Sequence, residues 1–136
     1  MVRAQPGASP VTVGRLLANL ASSQADCGNV EVALALSAEA MTLVRTAVER
    51  TPVDFAVSLY AHGIALHGLG QNTESLRDLR ESLDIWQRAA EPDYAQVALL
   101  KEAMARCFAD LGYSNQAETS QREALAIRAK ISDPNR

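Results

Sequence analysis

Three glycines at a constant spacing constrain this chain more than anything else in it. Gly28, Gly70 and Gly112 stand 42 residues apart, and the same residue classes return around each of them. Small residues recur at Ala21, Gly63 and Ala105, at Ala33, Ser75 and Ala117, and at Ala40, Ser82 and Ala124. Apolar residues recur at Met41, Leu83 and Leu125, and again at Leu43, Ile85 and Ile127. Self-similarity at a period of about 20–50 residues means one supersecondary unit copied and stacked. Two helices approach closely only where the side chain at their crossing is small, and a glycine just past an apolar-periodic run supplies the left-handed conformation that ends a helix. Each unit therefore reads as helix, glycine turn, helix, with the stretch from Tyr60 to Trp86 at the centre of the middle copy.

The order of elements follows. Residues 1–8 are polar and small, with Pro6 and Gly7, and read as a disordered tail. Residues 9–136 read as one all-α domain, with repeats over about 10–50, 52–90 and 92–131. Ser9 and Pro10 form a helix start, a capping residue followed by proline at the first helical position, and Thr51 and Pro52 repeat it. The first helix runs to about Cys27, carrying Val13, Leu16, Leu17 and Leu20. The second is expected from Val30 to Arg50, its apolar set including Val30, Val44 and Val48. The third runs from Pro52 to Gly70 and the fourth from Asn72 to about Ala89. Glu91, Pro92 and Asp93 open the fifth, where acidic residues suit a helix N-terminus. Ser114 is the expected cap of the sixth, which ends near Ile131 before Asp133 and Pro134.

Composition narrows the function. Aromatics make up only 4% of the chain, so the core has to be built from Ala, Leu, Val and Ile, residues that include strong helix formers. No run approaches 18 uninterrupted apolar residues and the N-terminus has no hydrophobic signal core, so a cytoplasmic protein with no membrane partner is expected. A net charge of −3 argues against direct nucleic-acid binding. Arginine outnumbers lysine 11 to 2, a bias that points to GC-rich bacterial coding. Cys27 and Cys107 are separated by the middle repeat, which argues against a disulfide, and both are expected to be buried free thiols.

The last helix departs from its sisters. Glu118 stands where they carry Leu34 and Leu76, Gln121 where they carry Ser37 and Leu79, and Arg128 where they carry Val44 and Trp86. Terminal repeats of a stack need a polar outer face, so this helix reads as a built-in cap. Ile127 and Ile131 leave a small apolar strip, a candidate homodimer contact.

The pattern of small residues around a turn glycine resembles the tetratricopeptide repeat over roughly residues 10–131. GQNTESLRDLRESLDIW is similar to the second helix of the long-repeat variety found in kinesin light chains and in bacterial regulatory and signalling proteins. The resemblance implies three stacked antiparallel helix pairs in a short right-handed superhelix, an α-solenoid, with the first helices lining a concave face. Groove positions of the family fall on Arg15, Ala18, Asn19, Ser22 and Asp26, then Val57, Tyr60, Ala61, Ile64 and His67, then Leu99, Glu102, Ala103, Arg106 and Asp110. Tyr60, Ile64 and Leu99 would take apolar side chains of a peptide or helix, and Arg15 and Arg106 acidic groups. The carboxylate clamp of some family members is not expected, because Ala18, Ser22, Ala61, Leu99 and Ala103 occupy its positions.

Catalytic patterns are missing. The chain has no Gly-rich phosphate loop, no H-E-x-x-H and no Gly-x-Ser-x-Gly. His62 and His67, five residues apart, diverge around their helix and do not suit one metal. No cofactor is expected. The expected function is a non-catalytic scaffold for a protein or peptide partner. Alternatives are a sensor segment of a larger bacterial signalling or transcription-control assembly, and a self-association module.

Overall fold

A computed structural model describes residues 8–47, 50–133 and 135. The tail expected at the N-terminus therefore lies, except for Ala8, outside the described residues, as do Val48 and Pro134. The described chain is six α-helices: α1 Pro10–Asp26, α2 Val30–Thr46, α3 Pro52–Gly68, α4 Asn72–Arg88, α5 Tyr94–Asp110 and α6 Ser114–Ser132. The odd-numbered helices begin at Pro10, Pro52 and Tyr94, and the even-numbered at Val30, Asn72 and Ser114. The 42-residue step of the sequence is thus the step of the fold. Each helix pairs with the next across its glycine, and the pairs stack in chain order through α2 on α3, α1 on α3 and α4 on α5.

The glycine turns are built alike. Gly28, Gly70 and Gly112 have φ of 89°, 79° and 84°, a region open to glycine at little cost. With the chain turned there, the amides of Asn29, Gln71 and Tyr113 reach the carbonyls of Gln24, Leu66 and Phe108 at 2.8, 2.9 and 2.8 Å. The glycine amides bond Ala25, His67 and Ala109 at 3.0, 2.9 and 3.1 Å. These bonds satisfy carbonyls that the helix end would leave unpaired. The even helices then start with no side-chain cap, so the cap expected from Ser114 is not made: Ser114 is the first helical residue and Tyr113 holds the capping position. The amide bond that closes the turn already fixes the chain there.

The odd helices start differently, because a longer connection leads into them. Ser9 Oγ accepts from the Thr12 amide at 3.1 Å, and Asp93 accepts from the amides of Ala95 and Gln96 at 3.0 and 3.3 Å. At α3 the Asp54 carboxylate accepts from the Thr51 amide at 2.9 Å. Helix α2 stops at Thr46, short of the expected Arg50, with Ala47 already extended. At 17 residues it matches α1 in length.

The small residues sit where the helices cross. Ala21, Ala33, Ala40, Ser75, Ser82 and Ala124 are all fully buried, and a methyl on Gly63 would meet Leu79 Cδ2 at 2.9 Å. Ser75 Oγ donates to the Gly63 carbonyl at 2.7 Å and Ser82 Oγ to the Ala56 carbonyl at 2.8 Å. These two buried hydroxyls are tolerated because each finds an acceptor on the facing helix. The main core lies between the second and third pairs, where Leu76, Leu79 and Trp86 meet Leu100, Met104 and Phe108. Between the first two pairs the core is tighter and built on alanine: Ala18, Ala21, Ala40 and Ala61 with Leu17. Only one of the two thiols is buried as expected. Cys107 is enclosed, donates to Ser75 Oγ at 3.3 Å, and has its pKa pushed up by that burial. Cys27 is exposed at the end of α1, because no described helix pair precedes α1 to cover it. Among the described residues, no helix is long and apolar enough to cross a membrane.

Candidate functional site

The concave side of the stack is formed by α1, α3 and α5, and its depth depends on one position of the repeat. In α1 that position is Ala18, fully buried against Ala61, so α1 and α3 close tightly. In α3 it is Tyr60, and a phenol between helices holds them apart where a methyl would let them close. Helix α3 accordingly lies along α1 but meets α5 only briefly. The resulting hollow, about 380 Å³, is lined by Asn19, Ser22 and Asp26 of α1, Val57 and Tyr60 of α3, and Gln96 and Leu99 of α5.

Its chemistry is an apolar floor with a polar rim. Val57 and Tyr60 pack on the core below, and Leu99 is half-buried opposite them. Burial pushes the Tyr60 phenol above its usual pKa, with Asp26 and Glu102 adding to the shift and Arg106 opposing it. Tyr60 is therefore a neutral hydrogen-bonding group at neutral pH. The Gln96 Oε1 is buried with no hydrogen-bond partner among the described residues, and buried polar atoms normally have one.

Of the fifteen groove positions that the resemblance implies, six come together here: Asn19, Ser22, Asp26, Val57, Tyr60 and Leu99. The others are placed differently. Arg15 bonds Asp54 at 3.0 Å, tying α1 to the start of α3. Although partial burial works against it, that guanidinium and the Thr51 amide hold the Asp54 carboxyl below its ordinary pKa. His67 of α3 meets Asp110 of α5 at 2.9 Å. Glu102 is gripped by Arg128 of α6 through two bonds of 2.7 Å, and these bonds lower its pKa. Ile64 leans on the main core. Arg106 is exposed and takes part in none of the ion pairs among the described residues.

The other histidine, His62, lies 2.5 Å from Asp78 of α4. No three His, Cys, Asp or Glu side chains gather into a metal-holding group among the described residues. Ile127 and Ile131 line a second hollow of about 500 Å³ with Tyr94 and Lys130. Ser23 and Gln96 are the residues of the first hollow that sequence reasoning missed. The counterparts of Gln96 one and two repeats back, Asp54 and Thr12, sit in the first turns of their helices, and nothing in their types marks the position as part of a groove.

The family model described as tetratricopeptide repeat matches residues 54–130, from α3 through most of α6. No curated protein matches the chain. Repeats of this family generally mediate protein–protein interaction. The matched segment is more than half of the chain, and the unmatched pair α1–α2 repeats the same helix starts and the same glycine turn. With six helices stacked pairwise in one 42-residue step, the chain belongs to the tetratricopeptide repeat family.

Proposed function

We propose that this chain is a non-catalytic scaffold that binds an extended peptide or the exposed helix of a partner protein in the hollow between α1, α3 and α5. The observation that carries this reading is Tyr60 in the place of Ala18: it opens the wall of first helices where a small residue would close it. An apolar side chain of the partner would lie on Val57, Tyr60 and Leu99, and Asn19 and Gln96 would bond its backbone. Arg106, exposed and in no ion pair among the described residues, would meet an acidic group at the edge. Arg15, His67 and Glu102, in this view, hold the wall in shape through their ion pairs, and Ile64 supports its floor. The 42-residue step supports a likeness to the long-repeat members of the family, of which kinesin light chains are one kind.

The test is affinity capture by wild type and by Tyr60→Ala and Arg106→Glu, followed by titration of a captured partner. Tyr60→Ala is expected to weaken binding at least tenfold, about 1.4 kcal/mol, and Arg106→Glu to weaken it most at low salt. If both variants bind the same partner with wild-type affinity, the concave wall is not the binding surface.

A further inference from the structure

The hollow is not evenly charged. Asp26 is the one charged residue among those that line it, and it is exposed and in no ion pair among the described residues. It is also the last residue of α1, where the helix dipole favours a positive charge. Ser22 and Ser23 beside it bring hydroxyls and no cation. On the α5 side, Gln96 Oε1 is buried without a donor among the described residues. Both rims therefore present acceptors, and the apolar floor of Val57, Tyr60 and Leu99 belongs to the same hollow.

Three kinds of side chain fit that arrangement unequally. An acidic one would face the Asp26 carboxylate. An aliphatic one would cover the floor but shield that carboxylate from water without giving it a partner. A lysine or arginine lays its methylene stem on apolar surface while its charged head stays at the edge, and here the edge holds the carboxylate.

The rest of the wall sets a second requirement. Arg15, His67 and Glu102 are engaged with Asp54, Asp110 and Arg128. Beyond its burial, the Tyr60 phenol feels Arg106 and Asp26 with opposite sign, yet those two do not pair with each other. Gln96, Leu99 and Arg106 follow at steps of three and seven residues and so share one side of α5. Gln96 and Arg106 are ten residues apart on that helix, about 15 Å at its rise per residue. An extended chain covers that distance in about four to five residues.

We propose that the hollow selects a peptide segment of two opposite charges. Its lysine or arginine side chain crosses the floor from Gln96 to Asp26, and an aspartate or glutamate about four to five residues away meets Arg106. This rests on the hollow being the binding site, and it names the chemistry of what binds there.

The test is selection of displayed random peptides on the full chain, followed by titration of a selected peptide. The expected peptides carry a lysine or arginine and, about four to five residues away, an acidic residue. Asp26→Asn is expected to weaken such a peptide about threefold at low salt, with the loss shrinking as salt is added and helical circular dichroism unchanged. Norleucine in place of the basic residue keeps the stem without the charge, and is expected to erase the difference between wild type and Asp26→Asn. Peptides that depend on Tyr60 but carry an uncharged residue in place of the basic one, or that ignore Asp26→Asn, would overturn the proposal and leave the hollow as the site. Peptides that bind Tyr60→Ala as tightly as wild type, or no enrichment at all, would overturn the proposal and the hollow together.

Discussion

Replacing Ser82 by leucine tests the stacking logic at its tightest point. Ser82 is fully buried, as is Ala56 opposite it, and its hydroxyl donates to the Ala56 carbonyl at 2.8 Å. Loss of that bond costs about 1 kcal/mol. The added methylenes have no space to enter, and overpacking of this kind costs about 1–3 kcal/mol. Together the change removes about 2–4 kcal/mol, a large share of the ~5–15 kcal/mol typical of a domain. At roughly 4 °C per kcal/mol for a chain of this size, Ser82→Leu should lower Tm by about 8–16 °C. Ser82→Ala removes the hydrogen bond while leaving the crossing small, and should lower Tm by only about 4 °C. Thermal unfolding followed by far-ultraviolet circular dichroism separates the two. A Ser82→Leu protein melting within about 2 °C of wild type would refute the claim that α3 and α4 cross on this residue. So would Ser82→Ala melting as low as Ser82→Leu, since the hydroxyl and not the space would then matter.

Two glycines should fail for different reasons. Gly63→Ala places a methyl 2.9 Å from Leu79 Cδ2 and should cost about 1–3 kcal/mol, part of which Leu79→Val restores in a double-mutant cycle. Gly70→Ala meets no atom within 4 Å but keeps a φ of +79°, so it should cost about 1 kcal/mol that no neighbouring truncation recovers. Glu102 carries a pH prediction. Its bonds to Arg128 lower its pKa in the folded state, so they stabilise the fold above the unfolded carboxylate pKa of about 4.3 and cease to do so as acid protonates the group. Glu102→Gln should therefore have a slightly lower urea midpoint than wild type at pH 7, and the gap should close below about pH 4. An equal gap at both pH values would contradict it.

The fold was legible in the sequence because its main determinants are local and repeated. Gly28, Gly70 and Gly112 each close a turn through bonds to residues of the helix just ended, and the small columns announce their crossings by size alone. What failed was what depends on position in the stack. Cys27 looks as apolar as Cys107, yet it is exposed, because the burial of that column is contributed by a preceding pair. Ser114 looks like a cap, yet the turn before it already satisfies the chain. The hollow was half legible. Asn19, Tyr60 and Leu99 meet in it, but whether Arg15, His67 and Glu102 are free depends on Asp54, Asp110 and Arg128, from 26 to 43 residues away in the chain. No periodicity registers such partners.

One column of the repeat shows how the same position acquires three tasks. Ala18 is small, so α1 and α3 close and a fully buried alanine seam results. Tyr60, one repeat on, holds α3 away from α5, and the hollow exists because of it. Glu102, at the last repeat, has no following pair among the described residues and turns instead to Arg128, which stands in the column of Val44 and Trp86. That column changes as well: Val44 and Trp86 are buried, and Arg128 answers the glutamate. Paired changes of this sort are what packing requires when neighbouring repeats meet at different separations. Reversing only one member, as in Tyr60→Ala with Trp86 kept, should leave a gap at that level of the stack, whereas the change to Ala and Val together copies the first interface on the second. The hollow lies where the Ala18 column carries its tyrosine.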